Sequence, residues 1–450
     1  MLPVVDNFNL PRRLGDGLVL RWGRPGDVEA IAEFNSRIHS SSPTEPDLYV
    51  ANWTRELMSG NHPTTQAHDF LVVVDENRNG KIASTLNLIS QTWSYGGIPF
   101  RVGRPEIVGT DPDYRRRGLV RTEFEVIHAL SAFRGEMVQV ITGIPHYYRQ
   151  YGYGMSLDLS GARRLDFHAV PKLENGAQES FRLRPAKFED IPVLSELYAI
   201  HCASSLVSRI RDNNEWRYEL SANNEKSVSY HQFYIVETLD GEVAGYTEAI
   251  PGTPDPNSPF TIHELAARPG YSLRAVSQFL ARAFKEIAEE NNKHRKEPMV
   301  GLSFNFGESH PVYTALGNIF SRTIPPYAFY VRVPDLPGFL MHIRPVLEKR
   351  LIGSVMENHT GALRLNFYSY QIALNFEHGR LKEIAPFKAT SYQDGDALFP
   401  GTTFLDLLFG RRTLEELRYI FPDCFASNSG AQVLLDILFP HKPSHVAVLN

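Results

Sequence analysis

Cysteine is nearly absent from this chain of 450 residues: Cys202 and Cys424 are its two thiols. Two thiols about half a chain apart cannot build a disulfide framework, and no Cys-x-x-Cys spacing offers a metal site, so no metal is expected. The chain also lacks any run near the ~18 apolar residues that span a bilayer. Its start, MLPVVDNFNLPRRLG, lacks the apolar core of a signal peptide. Charge of one sign is missing as well. Lys and Arg total 46 against 51 Asp and Glu, a net charge of −5. Without a broad basic face, nucleic acid is excluded as an expected partner, and no membrane partner is expected. Gly 32 and Pro 30 are ordinary counts, which excludes collagen-like and disordered classes. What is present, 42% hydrophobic and 11% aromatic residues, suits a cytoplasmic α/β protein. At ~100–200 residues per domain, two to four domains are expected.

The chain repeats itself once. Leu20-Arg21-Trp22-Gly23-Arg24-Pro25-Gly26-Asp27-Val28 aligns without a gap on Leu183-Arg184-Pro185-Ala186-Lys187-Phe188-Glu189-Asp190-Ile191. Each segment reads as a strand, a turn and a helix capped by Asp27 or Asp190. Apolar residues then recur at helical spacing, Val28, Ile31, Phe34 and Ile191, Leu194, Leu197. A hairpin signal follows in each half, Asn79-Gly80 and Asp240-Gly241, between β-rich runs. A Tyr-x-x-x-Gly element closes both, Tyr148 to Gly152 and Tyr313 to Gly317. Four element types in one order predict two copies of one domain. The remainder alternates apolar and polar residues around 363–376, turns at His378-Gly379, and ends in helical stretches. The expected fold is α/β and α+β, with domains at 1–170, 178–333 and 335–450.

Clustered charge marks the turn after a predicted strand, Arg104-Pro105-Glu106-Ile107-Val108-Gly109-Thr110. Asp111-Pro112-Asp113 breaks the strand. Tyr114-Arg115-Arg116-Arg117-Gly118-Leu119-Val120 leads into a helix striped by Val120, Phe124, Ile127 and Leu130. The first N–H groups of a helix have no intrahelical partner, and its dipole favours an anion there. Arginines at that end are unfavourable without one, and Gly118 lets an anion approach the backbone. The turn is therefore a candidate phosphate cradle. It is neither a Walker A loop nor the Gly-x-Gly-x-x-Gly fingerprint.

Arg115-x-x-Gly118-x-Val120 after Val108-Gly109-Thr110 resembles the acetyl-CoA motif of GNAT N-acetyltransferases, with Val120 replacing the usual final Gly or Ala. The segments 112–121 and Tyr148-Arg149-Gln150-Tyr151-Gly152-Tyr153-Gly154 resemble the two strongest motifs of the Eis (enhanced intracellular survival) group. That resemblance covers essentially the whole chain. It implies two tandem GNAT-like domains, the second degenerate, then a small α+β domain similar to sterol carrier proteins. It also implies a homo-oligomer, a hexamer in that group. Acetyl-CoA would be the cosubstrate. Val108, Gly109 and Thr110 would hold its arm, and Arg116, Arg117, Gly118, Leu119, Val120 and Arg121 its pyrophosphate. Gly143 and Ile144 would complete the slot. By period two, Glu106, Val108 and Thr110 share one strand face. In the second half the stretch Pro269-Gly270-Tyr271-Ser272-Leu273-Arg274-Ala275 puts Ser272 at the first arginine and Ala275 at the glycine, so one cofactor site per chain is expected.

Acetyl transfer to an amine needs a neutral nucleophile, a stabilised oxyanion and a hydrogen-bonded leaving thiolate. Tyr148 falls where the Eis group places its general acid. A phenol near pKa ~10 is a weaker acid than a thiol near ~8.5, so Tyr148 would act mostly by hydrogen bonding. The resemblance makes the terminal carboxylate, here Asn450, the base; Glu106 competes with it, and His39 and His146 are weaker candidates. The acceptor is a primary amine, either a small molecule such as an aminoglycoside or polyamine, or a lysine side chain. Thr44-Glu45-Pro46-Asp47-Leu48-Tyr49 is a candidate acidic lip. The competing reading is a non-catalytic protein that carries a lipid-like ligand in its C-terminal domain.

Overall fold

The computed structural model describes residues 8–42, 44–221, 224–251, 259–391 and 393–446. Its strands form three sheets. In the first, Arg12–Gly15, Leu18–Trp22, Phe70–Asp75, Lys81–Tyr95, Ile98–Thr110 and Val138–Ile141 follow in sequence order. The second repeats that order with Phe181–Pro185, Gln232–Thr238, Val243–Ile250, Phe260–Ala267 and Gly301–Phe304. Each sheet has one parallel pair, reached through a long helix, Leu119–Phe133 or Leu273–Asn292. The helices cover one face with an apolar stripe, Phe124, Ile127 and Leu130 in the first and Val276, Leu280 and Phe284 in the second, all buried.

The repeat is held at its start by the same device twice. Arg21 donates two hydrogen bonds to Asp27, at 2.6 and 2.9 Å, and Arg184 two to Asp190, at 2.7 and 2.8 Å. Neither aspartate caps its helix, as the sequence had suggested. Each carboxylate instead accepts from the turn before it, Arg24 N–H or Lys187 N–H, at 2.8 Å. The fork of an arginine matches a carboxylate bidentately, and that pairing takes both oxygens away from the helix.

Register makes the halves comparable residue by residue. Arg21 lies opposite Val72, and Val72 opposite Thr85. Arg184 lies opposite Ile235, and Ile235 opposite Tyr246. Two residues beyond Thr85 and Tyr246 stand Asn87 and Glu248, whose partners on the next strand are Glu106 and Glu264. Glu106 and Glu264 therefore occupy one position of the repeated scaffold.

The sheets trade strands. Tyr327–Arg332 inserts between Val138–Ile141 and Gly154–Leu159 of the first sheet, and Ala162–Asp166 sits between Gly301–Phe304 and Arg322–Ile324 of the second. Val207–Ile210 also joins the first sheet, beside Lys81–Tyr95. Boundaries at 170, 178 and 333 thus do not follow sheet membership, because pairing across the repeat is non-local. The third sheet runs Arg380–Pro386, Gln371–Glu377, Gly361–Asn366, Ala397–Leu398, Phe425–Ala426. Phe367, Phe399, Phe404 and Phe439 fill its interior, and that core is continuous with Trp93, Tyr95 and Phe100 beneath the first sheet. Segment 443–446 lies along Val207–Ile210, with Leu206 N–H donating to the Pro443 carbonyl at 2.7 Å. Among the described residues no helix is long and apolar enough to cross a membrane.

Candidate active site

Strand Ile98–Thr110 pairs in parallel with Val138–Ile141 only at Val102 and Gly103. Beyond that point the two strands part. A cavity of about 730 Å³ opens between them, the start of helix Leu119–Phe133 and the helices Val28–Ile38 and Leu48–Met58. Val108, Gly109, Thr110, Arg116, Arg117, Gly118, Leu119, Val120, Arg121, Gly143, Ile144 and Tyr148 all line it. Glu106 and His39 line it too. His146 does not, and Asn450 lies outside the described residues.

The arginine turn is built from the backbone outward. Tyr114 anchors it: the ring is buried, and its hydroxyl donates to Asp75 at 2.7 Å. Arg116 and Gly118 then take left-handed conformations, with φ of 63° and 75°. Gly118 caps the helix with no side chain, so the N–H groups of Leu119, Val120 and Arg121 have no partner among the described residues. Arg115, Arg116, Arg117 and Arg121 have no carboxylate partner there either, and all four are exposed. Arg117 packs over the Tyr114 ring at 5.4 Å. Orphan donors and guanidinium groups without carboxylate partners gather around one helix start, an arrangement whose chemistry suits an anion.

At the fork of the strands the backbone departs from simple alternation. Asn87 pairs with Glu106 and Thr85 with Gly109, so the strand carries one extra residue, and Ile107 adopts φ 51°. A β-branched residue is strained there. The bulge breaks the shared face expected for Glu106, Val108 and Thr110: Ile107 also reaches the cavity. Glu106 is buried and accepts from Arg104 at 2.9 Å. Burial raises its pKa, and the Arg104 charge pulls it back. Tyr148 is buried in the short turn Tyr147–Tyr151. Burial, then the nearby Glu106 charge, pushes its pKa above the ordinary phenol value. No group hydrogen-bonds its hydroxyl among the described residues. A β-carbon on Gly143 would lie 3.4 Å from that hydroxyl, so the glycine keeps the space around it open. His39, at the rim, has its pKa lowered mainly by desolvation.

Sequence reasoning missed Ile38, Val50 and Trp53, which wall the far side of the cavity. Their signal was the apolar spacing of Val50, Trp53 and Leu57, one helix face turned to the sheet. The expected acidic lip does not reach the cavity. Asp47 caps its helix, accepting from Tyr49 and Val50 N–H at 2.9 and 3.2 Å, and Glu45 is not among the lining residues.

The second half lacks the cradle for a different reason than alignment suggested. Its turn spans 268–272 where the first spans 111–118, three residues fewer. Ser272, not Ala275, stands at the cap position of Gly118, and its hydroxyl accepts from Ala275 N–H at 3.2 Å. The helix start is capped by its own side chain.

Residues 24–156 match the family model described as "Acetyltransferase (GNAT) domain". No curated protein matches the chain in sequence. Among solved structures, a probable N-acyltransferase of Enterococcus faecalis V583 is similar over 95% of this chain and 97% of its own, with TM-score 0.66 and 12% identity. Eis1 from Mycobacterium abscessus is similar over 96% and 99%, with TM-score 0.59 and 14% identity. Saccharomyces cerevisiae N-myristoyltransferase, solved with myristoyl-CoA, matches over 72% and 81%, with TM-score 0.51 and 14% identity. At such identities the likeness is one of fold. The matched residues include the arginine turn, the forked strand and Tyr148.

Proposed function

We propose that the protein is an acetyl-CoA-dependent N-acetyltransferase that acetylates a primary amine by direct attack on the thioester. In this reading 1–170 carries the site, 178–333 is a degenerate GNAT-like copy and 335–450 is a sterol-carrier-like domain. A cytoplasmic homo-oligomer belongs to the same proposal. One observation carries it: Arg115, Arg116, Arg117 and Arg121 surround unpaired helix N–H groups in the cavity that also holds the free hydroxyl of Tyr148. That donor set fits a pyrophosphate, which accepts from backbone N–H and guanidinium alike.

Acetyl-CoA supplies an acyl carbon activated by a thiolate leaving group. Val108, Gly109 and Thr110 offer main chain along the fork, and Gly143 with Ile144 the opposite wall. The amine nitrogen attacks the acyl carbon, the C–S bond breaks, and the sulfur takes the electron pair. With its pKa raised, Tyr148 stays neutral and donates a hydrogen bond to that sulfur rather than surrendering its proton. The amine's proton passes to a carboxylate. Glu106, whose affinity for protons burial increases, is one candidate, and the terminal carboxylate at Asn450 is the other.

The test is amine-dependent release of free thiol from acetyl-CoA. It should proceed in the wild type and fall to background in the variant carrying Arg116→Glu and Arg117→Glu. Binding of acetyl-CoA without thiol release to any amine would contradict the reading.

A further inference from the structure

Beside the shared glutamate position, the two halves carry opposite surroundings. Asp47 and Asp212 each cap the second helix of their half, accepting from the N–H groups two and three residues on. Counted from those caps, Val50 stands where Glu215 stands, and Thr54 where Glu219 stands. In the second half these carboxylates and Glu264 enclose two arginines. Arg209 donates to Glu219 at 2.7 Å and to Glu215 at 2.8 Å. Arg211 donates to Glu264 at 2.9 Å and meets Glu219 at 2.9 Å. The Arg211 guanidinium also lies 4.4 Å from the Tyr198 ring and 4.7 Å from the Trp216 ring. Arg209, Arg211 and all three carboxylates are buried. Holding Arg211 beside Glu264 employs a second carboxylate, Glu219, and an aromatic cage.

The first half has aromatic rings at its cavity but lacks that set of carboxylates among the described residues. Away from the arginine turn its cavity is lined by Ile38, Val50, Trp53 and Ile107 and by Tyr147, Tyr148 and Tyr151, none of them a carboxylate. Glu106 is the one carboxylate among its described lining residues, and Arg104 already neutralises it. Each extra ammonium brought against that wall would lose hydration with no opposite charge to replace it. The four arginines at the other end would repel it.

We infer that the acceptor is an amine with a single basic nitrogen and an apolar aliphatic or aryl body, and not a polycation such as an aminoglycoside or polyamine. This rests on the acyl-transfer reading above.

The test uses the full-length protein in two stages. Acetyl-CoA binding is first measured by calorimetry. Then kcat/KM is measured by thiol release for hexylamine and 2-phenylethylamine against spermidine and kanamycin. The monoamines should lead by about 10-fold or more, the scale of discrimination an apolar pocket provides. Val50→Glu restores the carboxylate of the second half at a half-buried position, and should move the spermidine-to-hexylamine ratio up by about 10-fold. A wild type that prefers spermidine or kanamycin overturns the inference, as does one that binds acetyl-CoA but acetylates neither monoamine. An unchanged ratio in Val50→Glu overturns the argument from the wall. Failure to bind acetyl-CoA would instead overturn the acyl-transfer reading itself.

Discussion

Gly118 and Ser272 begin equivalent helices, yet one leaves its helix start open and the other closes it with a hydroxyl. The same contrast recurs at the tyrosines. Tyr148 has a hydroxyl without a partner among the described residues, whereas the Tyr313 hydroxyl donates to the Phe304 carbonyl at 2.9 Å and accepts from Phe306 N–H at 3.2 Å. It recurs again at the glutamates, where Arg211 fills the space beside Glu264 and a cavity lies beside Glu106. In the second half Ala275 N–H, the Tyr313 hydroxyl and Glu264 all find partners within the chain. In the first half their counterparts are left exposed to a cavity. Buried or clustered polar groups without partners are costly, so their persistence in one copy alone points to a ligand there.

The largest effect should come from the turn. Arg116→Glu with Arg117→Glu reverses two charges of the cradle and should remove measurable acetyl-CoA binding, while Arg274→Glu, on the helix after Ser272, should leave it unchanged. Calorimetry on both variants checks this.

The tyrosines come next. Tyr148→Phe should lower turnover by about 10²-fold with acetyl-CoA affinity retained, the scale of one lost donor to developing charge. Tyr313→Phe should leave turnover alone and cost about 1–3 kcal/mol of stability, because it strands buried backbone groups. Steady-state kinetics and denaturant titration of both variants would separate the two roles. Equal loss of turnover in both would break the comparison.

The caps are smaller. Ser272→Ala should cost about 1 kcal/mol of stability and no acetyl-CoA affinity. Gly118→Ala puts a side chain at φ 75° and should weaken acetyl-CoA binding severalfold. Thermal melting and ligand titration check the pair.

A further effect, on stability and not on acetyl-CoA, concerns pH. Glu123, five residues beyond Gly118, is buried, and its carboxylate side accepts from Ser84 at 2.6 Å; Ser277 stands at the same distance beyond Ser272. Burial raises the Glu123 pKa from 4.5 to about 8. A raised carboxyl pKa favours the folded state at low pH, and that contribution is lost as pH rises from 4.5 through about 8. Glu123→Gln should therefore flatten the decline of melting temperature across that window, and Ser277→Ala should not.

The arginine turn was legible because it is a local pattern whose physical requirement sits within a few residues, and Tyr148 stood out because its motif resembles that of the Eis group. The long helix and the hairpins at Asn79-Gly80 and Asp240-Gly241 were legible for the same reason as the turn. The strand exchange was not, since nothing in 162–166 or 327–332 states which sheet will take it. The bulge at Ile107 was hidden because a β-branched residue gives no sequence sign of a positive φ. Asp27 looked like a helix cap until its pairing with Arg21 was seen. The closure of the second half by Ser272 depends on a turn three residues shorter, which an ungapped alignment misplaces.

The central claim is that one half alone keeps an acyl-CoA site. Calorimetric titration of the wild-type chain with acetyl-CoA tests it most directly. The account predicts one bound acetyl-CoA per chain; two per chain, or none, would contradict it.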